Sequence, residues 1–285
     1  MINFSKLLPK RRRDTHKGDY GHVLVLAGSP GFTGAAYLCS QGALVSGSGL
    51  VTLGIPKSLN SIMAVKLTEV MTKLLPETDA GTLSLNAHDE ILKFIDRIDA
   101  VAIGPGLSTH KETVRLVQKL ITSISKPIVI DADGLNALAG NAGLLKKAIG
   151  PVVITPHPGE MARLVGISTN EIQKDREAIA LKVAKEYNLI VVLKGYHSVV
   201  ASQSGKMYIN TTGNPGMATG GTGDILTGMI ASFIGQGIST FDAARLGVYL
   251  HGMAGDLAAK ALGEVSLVAG DILRYLPKAI KTNAG

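Results

Sequence analysis

The amino-acid sequence predicts an α/β fold in which a mostly parallel central sheet carries helices on both faces. Short runs of β-branched and aliphatic residues alternate along the chain with longer segments whose apolar residues recur at helical spacing. The short runs are apolar at nearly every position, which is typical of strands buried on both faces of a sheet. With 285 residues, of which 46% are hydrophobic and 18% charged, the chain can bury a large core.

The individual elements follow from these runs in chain order. Six predicted strands lie at residues 22–27, 50–55, 100–103, 127–131, 152–155 and 189–194. Predicted helices between them lie at residues 33–46, 111–124, 135–139, 159–165 and 171–186. Residues 198–201 and 206–210 flank a polar turn and predict a hairpin, and three helices then follow at 224–234, 240–262 and 269–280. No repeat or flexible linker divides the series, so we expect one domain spanning residues 1–285.

The composition excludes several classes of protein. Cys39 is the single cysteine, which excludes an intramolecular disulfide framework and a zinc site built from cysteines. Its apolar helical surroundings favour a buried small side chain over a nucleophile. No apolar run approaches the roughly 18–20 residues that span a bilayer, and the first residues lack the apolar core of a signal peptide. We therefore expect a cytoplasmic protein with no membrane contact.

The formal net charge of +7 favours anionic partners. The basic run at residues 10–13 raises nucleic acid as one such partner. However, only 4% of the residues are aromatic, so platforms for base stacking are scarce and we expect no nucleic-acid binding. A phosphorylated small molecule accounts for the charge, and a solvated N-terminal arm accounts equally well for the basic run.

The segment NPGMATGGTGD, residues 214–224, is the most informative part of the chain. Gly220, Gly221 and Gly223 let the backbone turn its N–H groups inward, and the helix that follows adds partial positive charge, which together suit the oxygens of a phosphoryl group. Asp224 then stands where a base can take a proton from an attacking hydroxyl. The alternative is a glycine loop that Asp224 merely caps, because aspartate is favoured at helix starts.

Other unusual residues follow the predicted strands, at the edge of the sheet where ligands of open α/β folds bind. Asp131 and Asp133 follow the fourth strand and have helix capping as their alternative role. His157, between two prolines, is either a rigid loop residue or a group that orients substrate. Lys194 is either a phosphate contact or one half of a surface salt bridge. The glycines after the first strand match neither the dinucleotide fingerprint nor a P-loop.

His251 and Asp256 lie five residues apart in the predicted helix 240–262, a spacing that does not bring them to one face. Core packing or surface solvation is therefore the interpretation that the spacing favours for both.

Taken together, these segments resemble the ribokinase-like superfamily and, more closely, the nucleotide-dependent NAD(P)H-hydrate dehydratases. The resemblance runs in matching order along nearly the whole chain. It rests on HKGDYGH at 16–22, AGS at 27–29, TGAA at 33–36, SGSGLV at 46–51, GPGL at 104–107, DADGLN at 131–136, TPHPGE at 155–160 and GGTGD at 220–224. It implies a three-layer sandwich and a repair enzyme that phosphorylates the hydroxyl of (S)-NAD(P)H hydrate with ADP or ATP and releases phosphate, yielding NADH or NADPH.

The resemblance also implies roles for individual residues. Asp224 would deprotonate the hydroxyl while the backbone of Gly221 and Gly223 holds the phosphoryl group. Ala43, Gly106 and His157 would contact the hydrated dinucleotide together with Asp224. The nucleotide would meet Gly223 and the segment Lys194, Gly195, Tyr196, His197 and Ser198. The family usually has threonine where Ser198 stands, and a serine hydroxyl can do the same work.

Cofactors and partners are implied by the same resemblance. Magnesium would accompany the nucleotide phosphates, with Asp133 and Glu160 as candidates for outer-shell contacts and no confident protein ligand. The family forms homo-oligomers, often tetramers. Because residues 17–19 of the motif lie so near the start, we expect no N-terminal epimerase domain and a separate epimerase as functional partner.

Three questions stay open at this level. The resemblance favours ADP as the donor without deciding between ADP and ATP, and it leaves the preference between NADH and NADPH hydrates undecided. The rival function is a ribokinase-like kinase for a vitamin precursor or sugar, because the Gly-Asp segment would serve either reaction. A non-catalytic nucleotide-binding regulator is disfavoured by the intact Asp224.

Overall fold

A computed structural model describes residues 4–8 and 11–283, so Lys10 of the basic run and both chain ends lie outside the described residues. Nine strands form one sheet in the order β3-β2-β1-β4-β5-β6-β7-β8-β9. They are β1 His22–Leu26, β2 Leu50–Pro56, β3 Met71–Leu75, β4 Ala100–Ile103, β5 Ile128–Ile130, β6 Val152–Ile154, β7 Ile190–Leu193, β8 Val199–Ser202 and β9 Met207–Ile209. Strands β1 to β7 pair in parallel, whereas β8 and β9 pair antiparallel. The predicted hairpin and the mostly parallel sheet are confirmed.

Eleven α-helices are described along the same residues. They are α1 Thr33–Val45, α2 Asn60–Lys66, α3 Ala87–Ile95, α4 Lys111–Ile121, α5 Asp133–Asn136, α6 Pro158–Val165, α7 Thr169–Lys174, α8 Arg176–Tyr187, α9 Thr222–Gly235, α10 Thr240–Leu262 and α11 Ala269–Asn283. None of the helices within residues 4–8 and 11–283 combines the length and the apolar character needed to cross a membrane.

The helices form a layer on each face of the sheet. Along β1, Val23 and Val25 pack into a core with α1, α9, α10 and α11, whereas Leu24 and Leu26 pack into a second core with α3, α4, α6 and α8. Successive side chains of a strand point to opposite faces, so a strand buried in both cores must be apolar at every position. This confirms the predicted three-layer α/β architecture.

Three elements were not predicted, and their surroundings explain why. β3 pairs only with β2 and leaves Met71 and Leu74 exposed, so this edge strand does not read as a continuous apolar run. Of the two short helices that flank it in sequence, α2 presents a fully buried side chain only at Met63. α3 buries Ala87, His88, Ile91 and Ile95, and two of these four are not large apolar residues. Elements with so few large apolar residues in the core give a weak periodic signal.

The predicted helix at 171–186 is wrong in one respect, because the structure divides it into α7 and α8. Asp175 stands between them with φ of −150° and ψ of 75°, outside the helical region, and its carboxylate accepts a hydrogen bond from the N–H of Ala178 at 3.0 Å. An aspartate in that geometry begins a new helix. The division sets Arg176 at the first position of α8.

Candidate active site

The glycine segment turns into α9 without a side-chain cap. Gly221 is the N-cap with φ of 92°, and a Cβ there would lie 2.4 Å from Cδ1 of Leu38, so only glycine fits. The helix begins at Thr222, two residues earlier than predicted, and this places Asp224 inside its first turn. The interpretation of Asp224 as the helix cap is therefore wrong.

The carboxyl group of Asp224 sits in surroundings that disfavour its ionised form. Burial, followed by the negative charge of Asp131, raises its pKa from 3.8 to about 7, although the ammonium of Lys194 acts in the opposite direction. A carboxylate with this pKa binds a proton far more readily at neutral pH than an ordinary aspartate. It is thereby matched to the work of a general base.

Lys194 forms a buried ion pair at the carboxyl ends of the strands. Its Nζ lies 2.6 Å from Oδ1 of Asp131 and 3.8 Å from Oε2 of Glu160. Burial acts to lower the pKa of Lys194, but the surrounding carboxylates outweigh it and the pKa is raised. Burial raises the pKa of Glu160. Lys194 is thus a charged ammonium among acids, and the alternative of a surface salt bridge is wrong because its side chain is only 17% exposed.

Asp131 takes part in no helix cap. Its Oδ2 accepts a hydrogen bond from Oγ1 of Thr227 at 2.7 Å, while the N-cap of α5 is Ala132, which makes no side-chain capping bond. Asp133 accepts instead from the N–H of Ser108 at 2.9 Å. The capping interpretation is therefore wrong for both aspartates.

His157 is a rigid loop residue, which is one of the two roles that the sequence left open, and its role in orienting substrate stays a prediction. Its Nδ1 accepts hydrogen bonds from the N–H groups of Gly159 and Glu160 at 3.0 and 3.3 Å, and Glu160 Oε2 accepts one from the N–H of His157 at 2.8 Å. This reciprocal capping box fixes the ring rigidly at the start of α6. The same side chain, half exposed, lines the cavity described next.

A cavity of about 610 Å³ opens beside the glycine segment. That volume is within the range of small-molecule and cofactor sites. It is lined by His157, Pro158, Lys194, Gly195, Tyr196, His197, Ser198, Asn210, Thr211, Thr212, Gly213, Asn214, Pro215, Met217, Ala218, Thr222, Gly223, Leu226, Val248, His251 and Gly252. The structure thus brings together every predicted nucleotide-binding residue, while their roles stay predictions.

Three predicted substrate contacts, Gly106, Ala43 and Asp224, lie outside the lining of this cavity. Gly106 follows β4 with φ of 62°, and its carbonyl oxygen accepts a hydrogen bond from Oγ of Ser29 at 2.8 Å. It belongs to the same edge of the sheet as Asp133. Ala43 is fully buried where α1 meets α9, and a Cβ built on Gly228 would lie 2.8 Å from its nitrogen. Their contact with substrate stays a prediction.

The spacing of His251 and Asp256 did not predict the contacts that these two residues of α10 make. Nε2 of the buried His251 lies 2.9 Å from the carbonyl oxygen of Thr222, so this nitrogen must carry the proton. Burial lowers the pKa of His251 to about 4, and the ring is neutral at pH 7. Asp256 accepts hydrogen bonds from the N–H of Gly213 and from Nδ2 of Asn214. His251 contacts the first residue of α9 and Asp256 holds the loop before it. Helical spacing does not reveal such contacts between distant segments.

Thr227 and Arg176 were not singled out from the sequence at all. Thr227 follows Asp224 by three positions in an apolar helix and reads as core, yet it is one of the partners of Asp131. Arg176 was hidden inside the predicted helix 171–186. The N-cap preference of Asp175 was the available signal that would have exposed it.

The acidic side chains at this edge already have partners within the protein. Within the described part of the chain, no group of three or more histidine, cysteine or acidic side chains is arranged to hold one. Asp131 is already engaged by Lys194 and Thr227, and Glu160 by the His157 backbone. The residues present fit a magnesium ion that is held mainly by nucleotide phosphates and water.

Solved structures define the class of protein first. The ribokinase of Arabidopsis thaliana, in complex with ribose and ATP, superposes with a TM-score of 0.57 at 14% identity, covering 90% of this chain and 98% of that one. The fold is therefore ribokinase-like. An ADP/ATP-dependent NAD(P)H-hydrate dehydratase of Bacillus subtilis, co-crystallised with ATP and Mg²⁺, superposes with a TM-score of 0.84 at 33% identity, covering 98% and 96% of the two chains.

Comparison of sequences identifies the family more specifically than comparison of folds. A family model described as NAD(P)H-hydrate dehydratase matches residues 23–278, and the chain belongs to that family. The bifunctional NAD(P)H-hydrate repair enzyme Nnr of Moorella thermoacetica is 51% identical over 274 residues, which cover 96% of this chain and 52% of the relative. The ADP-dependent (S)-NAD(P)H-hydrate dehydratase of Neisseria meningitidis serogroup B is 36% identical over 276 residues, which cover 95% and 88%. The chain spans about half the length of the bifunctional relatives that it matches.

Proposed function

We propose that this protein dehydrates (S)-NAD(P)H hydrate to NAD(P)H at the expense of ADP or ATP. The observation that carries the proposal is the carboxyl group of Asp224, with a pKa of about 7, in the first turn of α9 beside the buried ammonium of Lys194. The family to which the chain belongs supplies the substrate class. The Neisseria and Bacillus relatives are named as ADP-dependent and ADP/ATP-dependent enzymes, which supports these two nucleotides as donors.

The first chemical step is a phosphoryl transfer. Asp224 takes the proton of the hydrate hydroxyl, whose oxygen forms a bond to the terminal phosphorus of the nucleotide. The bond from that phosphorus to its bridging oxygen breaks, and AMP or ADP leaves. N–H groups of the segment from Gly221 to Gly223, at the positive end of α9, stabilise the negative charge in transit, and Lys194 adds a full positive charge.

The second step is an elimination. Hydroxide leaves a carbon atom poorly, whereas phosphate leaves readily, so phosphorylation makes the carbon–oxygen bond breakable. Phosphate departs with the electron pair of that bond, the adjacent ring carbon loses a proton, and the double bond of the dihydronicotinamide reforms. The sum is a dehydration coupled to nucleotide hydrolysis.

The two substrates approach the glycine segment from different sides in this proposal. The nucleotide occupies the 610 Å³ cavity and meets Lys194, Gly195, Tyr196, His197, Ser198 and Gly223. The hydrated dinucleotide lies along the edge that carries Gly106 and contacts Ala43, Gly106, His157 and Asp224. Magnesium would accompany the nucleotide phosphates, and Asp133 and Glu160 would be its outer-shell contacts. A homotetramer is the proposed assembly, and analytical ultracentrifugation tests it.

The deciding experiment mixes purified protein, hydrated NADH, magnesium and either ADP or ATP. Recovery of the near-ultraviolet absorbance of dihydronicotinamide that requires a nucleotide, and that is lost in Asp224→Asn, supports the proposal and identifies the donor. No recovery with either nucleotide overturns it. A stable phosphorylated product from a vitamin precursor or sugar would then favour the kinase. A higher magnesium concentration needed for activity in Asp133→Ala or Glu160→Ala would support outer-shell contacts, and an unchanged requirement would overturn them.

A further inference from the structure

Arg176 occupies a position that its charge alone does not favour. It is the first residue of α8, where the partial positive charge of the helix start repels a cation. No carboxylate forms a salt bridge with it among the described residues, and its Nε is buried without a hydrogen-bond partner there. Burial lowers the pKa of the Arg176 guanidinium, which confirms that these surroundings resist the charge. The unfavourable burial of this positive charge must be offset by a specific contact elsewhere.

Arg176 makes this contact with the segment from Lys194 to His197, here called the 194–197 loop. Nη2 of Arg176 donates hydrogen bonds to the carbonyl oxygens of Leu193 and Lys194 at 3.0 and 3.1 Å, and Nη1 donates to that of Tyr196. The N–H of Lys194 donates in turn to the carbonyl oxygen of Pro156 at 2.8 Å. Both backbone groups of Lys194 are therefore fixed by distant segments of the chain.

The guanidinium also shapes the loop at its glycine. Gly195 has φ of 139°, and a Cβ added there would lie 3.0 Å from Nη2 of Arg176. The arginine thus fills the space that a side chain would need. Because the carbonyl oxygens face Arg176, the N–H groups of Gly195, Tyr196 and His197 are left without an acceptor among the described residues. Successive N–H groups of this kind form an anion-binding concavity.

We propose that Arg176 is a positioning residue for the nucleotide: it holds the 194–197 loop so that the ammonium of Lys194 and these N–H groups meet the phosphates. The inference rests on the proposed function, because it assigns the loop to ADP or ATP. It adds a residue that does not line the large cavity itself and that acts only through the backbone of the loop. The planar guanidinium reaches three carbonyl oxygens at once, which a lysine ammonium at the same position does not.

The test measures nucleotide binding directly. Titration calorimetry with magnesium and either ADP or ATP compares the wild type with Arg176→Met and Arg176→Lys. Since hydrogen bonds to a charged group are each worth about 1.5–3 kcal/mol, we expect both variants to raise the Kd about 10- to 100-fold. The matched control is Arg115→Met on the exposed face of α4, which should leave the Kd unchanged. At saturating nucleotide, the KM for the hydrate should change little, because the proposed hydrate contacts lie outside the 194–197 loop.

The outcomes separate this inference from the proposed function. A wild type that binds neither nucleotide overturns both. A wild type that binds, with Arg176 variants that bind equally well, overturns only the role of Arg176. Lower Tm and kcat with an unchanged Kd would reduce Arg176 to a structural residue and also overturn it. Hydrogen exchange on the wild type needs no variant: the amides of Gly195, Tyr196 and His197 should gain protection when nucleotide binds, and unchanged exchange there contradicts the proposal.

Discussion

Nζ of Lys194 lies 2.6 Å from Oδ1 of Asp131, and the aspartate is almost completely buried. The pair joins the ends of β5 and β7, and Thr227 ties the same carboxylate to α9. Replacing Asp131 by asparagine leaves the ammonium with only Glu160 and Asp224 near it. We expect Asp131→Asn to lower the free energy of unfolding by about 1–3 kcal/mol, measured by urea denaturation.

The control for that change is an aspartate in an ion pair at the surface. Oδ1 of Asp14 lies 3.8 Å from Nε of Arg12, and both side chains are largely exposed. Exposed pairs contribute about 0–1 kcal/mol, so Asp14→Asn should leave the midpoint of denaturation nearly unchanged. Equal losses of stability in the two variants would contradict the special role of the buried pair.

The pH dependence of turnover follows from Asp224. As a general base it must be ionised, and its pKa is raised to about 7, first by burial and then by Asp131. We therefore expect kcat to be lost as the pH falls through about 7 and to level off above it, as measured by absorbance recovery at saturating substrates. Removing the negative charge in Asp131→Asn should move the midpoint to lower pH. A kcat that does not change from about pH 6 to 8 would argue against Asp224 as the base.

The same raised pKa predicts a conflict between activity and stability. The folded protein holds a proton on Asp224 that the unfolded chain, with a pKa near 3.8, releases. The resulting contribution to stability is complete below the unfolded pKa and is lost as the pH rises through about 7. Asparagine has no charge to bury. Asp224→Asn should therefore show a Tm advantage over the wild type that grows between pH 5 and 7 and then stays constant.

In the same variant we expect kcat to fall by about 10²- to 10⁴-fold, the usual contribution of a general base. The Kd for ADP or ATP should stay close to that of the wild type, because the carboxylate does not line the nucleotide cavity. A Tm that is lower than the wild type at pH 8 would show that the ionised carboxylate stabilises the fold after all.

Sequence reasoning succeeded where one segment carries its own signal. The continuous apolar runs predicted the parallel strands because both faces of β1, β4 and β7 are buried. The glycines before Asp224 predicted a helix start, and α9 begins within that segment because the geometry is local; anion binding there stays a prediction. The loops after the strands were expected at one edge, and the ion pair of Asp131 with Lys194 joins two of them.

What the sequence did not reveal depends on contacts between segments far apart in the chain. Thr227 and Asp131 are 96 positions apart, and the side chain of Arg176 reaches the backbone 17 to 20 positions away. Neither contact affects the local spacing of apolar residues, so the sequence alone does not show it. β3 was missed for the converse reason, since an edge strand buries too little to show an apolar run.

The contact of α1 with α9 gives the last prediction. A Cβ on Gly228 would lie 2.0 Å from the carbonyl oxygen of Cys39, so the two helix backbones touch and the glycine is required. Gly228→Ala must push α9 outward, at a cost of about 1–3 kcal/mol in the free energy of unfolding. Asp224 stands one turn away on the same helix, and a displacement of roughly 1 Å there should lower kcat about 100-fold.

The control for this change is Gly270→Ala on α11, where an added Cβ meets nothing within 4 Å. Alanine is the better helix former by about 0.5–1 kcal/mol, so this variant should be as stable as the wild type or more so, with unchanged kcat. Urea denaturation and kcat are measured on both variants. If Gly228→Ala loses stability but keeps its full kcat, then α9 tolerates displacement, and the position of Asp224 depends on the glycine segment and its contacts with α10 rather than on the packing of α1.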